Sequence, residues 1–229
     1  MLLPTTRTQV SLQNISNTER CDVERFRTIK KAGHSELTEK KSVFIGDAAH
    51  IESEEEARAF IEEKRKAYRD ARHIVFAYIV GNTMRYSDDG EPQGTGGPPV
   101  LDVLKKNGLT GVVVTVVRIF GGVLLGAGGL TRAYSGSAAD AVANAECAFF
   151  EEYEEYSVDI EYQEYQKLLH EITSCGGQMT TCDFGQRVDL CFCSPATISE
   201  RICSRIIAAT NGKRTPMLKR SYFDEEKQK

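Results

Sequence analysis

The sequence predicts an α+β fold in two domains: a β-α domain, then a smaller ferredoxin-like domain. Three features carry this. Val112–Ile119 holds five valines, a threonine and an isoleucine around Arg118, an apolar run without alternation, as in a strand covered on both faces. A glycine-rich segment, residues 120–129, leads from it straight into a helical pattern. After Phe150 the periodicity restarts as β-α-β-β-α-β, the ferredoxin-like order. The expected domains are 21–150 and 151–229. Residues 1–20 are Ser/Thr-rich, lack the apolar core of a secretory signal, and read as a disordered tail.

The elements follow in order. Phe26–Lys31 and Lys41–Ala48 read as strands, with Gly33-His34 near the turn between them. Ser53-Glu54-Glu55-Glu56 is a capping box, so a helix follows with Ala57, Phe60, Ile61 and Tyr68 on its buried face. Its charges, Glu54 with Arg58 and Glu62 with Lys66, form a solvated side. His73–Val80 is a buried strand, Gly81-Asn82 a turn, and Met84–Tyr86 a short partner. Val100–Lys106 forms a helix that tolerates proline in its first turn and stops at Gly108. Small residues at helical spacing from Leu130 to Cys147, among them Ala133, Ser137, Ala138 and Ala141, predict a helix lying close to the sheet. In the second domain Tyr153–Glu161, Gln178–Phe184, Arg187–Cys193 and Lys213–Tyr222 are strands. Glu164–Ser174 and Pro195–Ala209 are helices.

Composition narrows the function classes. No apolar stretch approaches the ~20 residues of a membrane helix. Seven cysteines in 229 residues are an odd number without any CxxC pair, which fits free thiols in a reducing cytoplasm rather than a disulfide scaffold or a zinc site. Cys191 and Cys193, two apart, share one strand face. The net charge is −4, and residues 1–150 balance 19 basic against 19 acidic side chains, so any nucleic-acid contact must come from a local patch.

Two segments carry candidate chemistry. In the first, a strand, flexible glycines and a helix start are how backbone amides are aimed at an anion. Gly121, Gly122, Gly126, Gly128 and Gly129, with Arg118, Thr131 and Arg132, are the candidate phosphate or nucleic-acid ligands. The same glycines also suit a tight strand–helix corner, and spacing alone leaves both readings open. The second segment is Ser87-Asp88-Asp89-Gly90-Glu91. Its three carboxylates suit Mg²⁺ or acid–base chemistry, but acid and glycine equally suit a turn, which is the expectation here. No GxSxG, HExxH or Walker A pattern occurs.

Three stretches together resemble the YigZ/Impact family. They are Arg85-Tyr86-Ser87-Asp88-Asp89-Gly90-Glu91-Pro92-Gln93-Gly94-Thr95, Arg118-Ile119-Phe120-Gly121-Gly122, and Leu125-Gly126-Ala127-Gly128-Gly129-Leu130-Thr131-Arg132-Ala133-Tyr134-Ser135. Lys40–Ile45 and Asp70–His73 match the upstream motifs. The likeness covers about 21–150 for an Impact-type domain, and the remainder is similar to the ferredoxin-like domain of the bacterial YigZ branch. It implies a first domain shaped like a ribosomal-protein and elongation-factor-G domain, and a second like that factor's C-terminal domain. It also implies a nucleic-acid, ribosome or translation-factor binding protein that regulates translation in the cytoplasm. RNA, ribosome or translation factor would be the partner, with no membrane, cofactor, metal or catalytic residue. Two positions depart from the family pattern: Leu124 stands for the usual lysine and Ile119 for the usual tyrosine. The alternatives are a phosphate-binding enzyme of small-molecule kinase type, loosely echoed by Gly126–Gly129 and Ser135–Ala139, or a protein–protein adaptor.

Overall fold

The computed structural model describes residues 25–225, so the expected tail 1–20 lies outside them. The chain separates into residues 26–149 and a second unit of residues 150–225 with Arg25. The fold is α+β, built on two sheets of antiparallel strand pairs.

The first unit begins with β1 (Arg25–Lys31), β2 (Gly33–Glu39) and β3 (Ser42–His50). Next come α1 (Glu54–Ala67), β4 (His73–Val80), β5 (Thr83–Ser87), α2 (Gly97–Lys106), β6 (Val112–Ile119) and α3 (Ala127–Ala143). Its sheet has the order β2-β3-β6-β4-β5. Helices α2 and α3 cover one face, where Phe44, Val75, Val114 and Val116 meet Leu101, Leu104, Tyr134 and Ala138. On the other, Tyr78 and Val113 meet Ala57 and Ile61 of α1. The five valines and Thr115 of residues 112–117 therefore alternate between two dry faces, and all of them are buried. Burial of such side chains, about 1.5–3 kcal/mol each, outweighs any preference for polar alternation along β6.

Local signals decide α1. Ser53 Oγ accepts from Glu56 N at 3.2 Å, and Glu56 Oε2 accepts from Glu52 N at 2.7 Å. The box thus closes on the amide one residue before the cap. Glu54 pairs with Arg58 at 3.5 Å, while Glu62 turns to Arg65 at 3.6 Å.

Strand β2 corrects the expected turn at Gly33-His34. The turn is Lys40-Lys41, whose φ values of 45° and 69° suit a two-residue hairpin. Gly33 serves a different end: a Cβ there would lie 2.0 Å from the Ala141 carbonyl oxygen. The glycine and the small residues of α3 together let that helix lie against β2. Helix α3 itself runs earlier than its apolar pattern indicates, by three residues at its start, Ala127, and by four at its end, Ala143. Cys147 falls instead in β7 (Glu146–Ile160), which β1 joins in the other sheet. There Lys30 pairs with Glu146 at 3.4 Å and Arg27 lies over the Phe149 ring.

The second unit continues β7 with α4 (Tyr165–Ser174), β8 (Gln178–Phe184), β9 (Val188–Pro195), α5 (Ala196–Ala209) and β10 (Met217–Glu225). Its strands lie in the order β10-β7-β9-β8. Leu168 and Ile172 of α4 and Ile202 and Ile206 of α5 pack on Val158, Ile160, Val188, Leu190 and Phe192. The opposite face of β9 carries Cys191 and Cys193, both buried. The six described cysteines are free.

His50 gives a pH test of the first unit. Thr28 Oγ donates to the Gly111 carbonyl at 3.1 Å, so its oxygen takes the proton of His50 Nδ1, 2.8 Å away. Nε2 is buried with no hydrogen-bond partner among the described residues. Burial lowers the His50 pKa, so the fold holds the ring neutral while the unfolded chain protonates near its ordinary value of about 6.5. The unfolded state then binds more protons, and stability is lost as pH falls from there toward the folded pKa. Urea midpoints should drop between about pH 7 and 5.5, and His50→Gln should flatten that drop.

Candidate functional site

The acidic segment after β5 is a hydrogen-bonded knot. Asp88 Oδ1 accepts from the amides of Gly96 and Gly97 at 2.9 and 2.8 Å, and Oδ2 accepts from Gly94 N at 2.8 Å. It thereby caps α2, whose own cap residue, Gly96, has no side chain to offer. Burial alone would raise the Asp88 pKa, but the three amides outweigh it and hold the carboxyl below the usual range. Asp89, at φ 43°, accepts from Arg65 at 2.8 Å and from Ile74 N at 2.7 Å. Its carboxyl is likewise lowered, burial being offset by Arg65 and the Ile74 amide. His73 Nδ1 donates to the Asp89 carbonyl at 2.8 Å, and Ser87 Oγ accepts from Asp89 N at 3.1 Å.

Glu91 goes inward. Its Oε1 accepts from Arg118 Nη1 and from the Tyr134 hydroxyl, both at 2.7 Å, and all three groups are buried. Burial, and then the bond to Glu91, push the Tyr134 pKa up, so the phenol stays a donor. The Arg118 guanidinium lies over both the Phe44 and the Phe120 rings, 5.6 and 5.4 Å from their centroids. Alternation along β6 explains this position: Arg118 shares the face of Val114 and Val116 and stands opposite Phe44.

Beyond β6 the glycine loop folds back on the β2–β3 turn. Gly121 N donates to Ser42 Oγ at 3.2 Å, and a Cβ on Gly121 would sit 1.9 Å from the Lys41 carbonyl oxygen. Only glycine permits this approach. Gly126, at φ 73°, is the cap residue of α3, with no side-chain cap and no acid in the first turn. The positive end of α3 is therefore not offset by its own sequence. Gly122, Gly126 and Gly128 are exposed, Gly129 and Thr131 half-buried, and Arg132 exposed. Helical side chains lean toward the N-terminus, which carries Arg132 Nη1 back to 3.6 Å from the Cβ position of Gly128. Exposed Lys40 and Lys41 flank the other side of Gly121.

The candidate ligands thus divide. Gly126, Gly128, Gly129 and Arg132 come together at the start of α3. Thr131 lies in its second turn rather than its first, because the helix starts earlier. Arg118 departs from the expected site: its charge is spent on Glu91 beneath the loop. Gly121 serves close packing, and Ser87, Asp88, Asp89, Gly90 and Glu91 build the turn and the buried pair. Sequence reasoning passed over Lys40, Lys41 and Phe120 as site residues. The misplaced hairpin turn hid the lysines. Phe120 sits in an apolar run that gives no sign of its exposure.

Residues 40–142 match the family model described as the Impact N-terminal domain. The chain is 36% identical over 162 residues to IMPACT family member YigZ of Escherichia coli (strain K12), covering 69% of this chain and 79% of YigZ. It is 42% identical over 118 residues to IMPACT family member YvyE of Bacillus subtilis (strain 168), a match spanning 50% of this chain and 54% of YvyE. A relative from Thermus thermophilus is 50% identical over 105 residues, 46% of this chain and 57% of its own length. A crystal structure of a hypothetical protein superposes with TM-score 0.58 at 30% identity, covering 85% of this chain and 97% of that one.

Two substitutions test the knot. Asp88→Asn turns one accepting oxygen into a donor facing an amide, and should cost about 1.5–3 kcal/mol in denaturant melts, as loss of a charge-assisted bond does. Arg118→Met leaves Glu91 charged and unpaired in the interior and should cost about 3–5 kcal/mol, read as a lowered urea midpoint.

Proposed function

The chain belongs to the IMPACT family, and from that premise we propose that it binds RNA of the translation machinery through the surface at the end of β6 and so regulates translation. One observation carries the reading. The uncapped start of α3, Arg132, and the Lys40-Lys41 turn lie together around a loop that brings no carboxylate to the surface: no Asp or Glu occurs from Arg118 to Arg132. Backbone amides at a helix start suit phosphate oxygens, a forked guanidinium suits them further, and two lysines add charge.

Both lysines occupy the left-handed region, where Asn or Gly is usual. Cations held at a backbone cost argue for a use of their charge. The carboxylates that a cation or a reaction would need are committed to the turn, to the cap of α2 and to Arg118, which favours a binding protein over an enzyme. The net charge of −4 repels a polyanion elsewhere on the surface, so affinity should be modest and fall steeply with salt. No helix among the described residues is long and apolar enough to cross a membrane. A cytoplasmic site of action fits the proposed partner.

Arg132→Ala should weaken RNA or ribosome binding by about 1.5–3 kcal/mol and flatten the salt slope by about one unit. Lys41→Asn should act similarly while keeping the turn, because Asn tolerates the left-handed region. Arg132→Ala should leave the melting temperature unchanged, and Lys41→Asn should not lower it, since Asn relieves the backbone cost at that position. The measurement is a salt titration of binding for each folded variant. A lower melting temperature with unchanged binding per folded molecule would mark Arg132 as a structural tie.

A further inference from the structure

Phe120 is half-exposed, at 49%, yet it is not a loose surface ring. One side of it is backed by the Arg118 guanidinium, 5.4 Å from its centroid. The same guanidinium lies over the ring of Phe44, which is fully buried and meets Tyr134 edge-on at 5.1 Å. Glu91 fixes the guanidinium at 2.7 Å. The core thus builds outward through ring, cation and ring, and ends on an aromatic surface beside Gly121, Lys41 and the start of α3.

We propose that Phe120 is a stacking platform for an unpaired nucleobase, so that the RNA bound here is single-stranded or looped out rather than duplex. The inference rests on the proposed RNA-binding function and specifies which RNA that surface takes. A base in a duplex already has both faces covered, and a phosphate-only contact would not use an exposed ring. An unpaired base offers a free π-face. The guanidinium behind Phe120 orients the ring in advance, so little side-chain freedom is lost on stacking. The exposed Lys40-Lys41 turn, packed on Gly121, and exposed Arg132 at the start of α3 supply cations for the RNA backbone.

The test uses the full chain with a single-stranded oligonucleotide and a hairpin duplex of equal length. Wild type should prefer the single strand. Phe120→Ala should weaken it about ten-fold or more, as loss of one base–aromatic stack does, and leave duplex binding and the melting temperature unchanged. Phe120→Trp should restore binding, with indole fluorescence quenched by the stacked base. Equal affinity for both RNAs with no effect of Phe120→Ala overturns the platform and leaves the RNA-binding function standing. Binding of neither RNA by wild type overturns that function and the platform with it. If naked RNAs do not bind while a partner captured equally with and without nuclease is lost in Phe120→Ala, the ring meets protein and the inference fails.

Discussion

A buried carboxylate organises the first unit. Glu91 sits on a loop with no regular structure, and its charge lies where water does not reach. Such a group is tolerable only with donors on its oxygens, and Arg118 and Tyr134 supply them from β6 and α3. One contact therefore ties the acidic loop, the end of the central strand and the long helix. Replaced by apolar groups of the same shape, the cluster would be no less stable on general grounds. What the ionic version adds is orientation: it sets where the loop closes and how the guanidinium lies beneath Phe120.

A second constraint is how closely backbones approach. Helix α3 reaches the sheet because Gly33 and Gly46 face its carbonyls, and because its own face is alanine and serine. Gly121 does the same for the loop against the β2–β3 turn. These contacts bring the start of α3, the lysine turn and the end of β6 to one rim of the sheet. The site is thus a by-product of close packing: glycines that look like ligands are partly spacers, and those at the helix start are left open.

The resemblance to the family and the geometry answer different questions. Membership says which proteins this chain is like. The geometry divides the motif residues into those that hold and those that face outward. Asp88, Asp89 and Glu91 hold; Arg132, Lys40, Lys41 and Phe120 face outward. A shared motif contains both kinds, and neither its length nor its order separates them.

The sequence by itself determined the elements whose signals are local. Ser53 and Glu56 start α1, the valine run makes β6 a two-faced strand, Gly108 ends α2, and the restart after Phe150 yields β-α-β-β-α-β. Each rests on contacts within a few residues or on a period along one segment. Tertiary structure alone decided β2, the early start of α3 and the role of Arg118. Gly33 reads as a turn residue until Ala141 is seen above it, and the glycines at 128 and 129 read as loop because their helical propensity is low. Arg118 reads as a surface cation at a strand end until Glu91, 27 residues earlier, is found beneath the loop. For Gly33 and Arg118 the deciding partner is distant in the chain, and no local pattern encodes a contact that only folding creates.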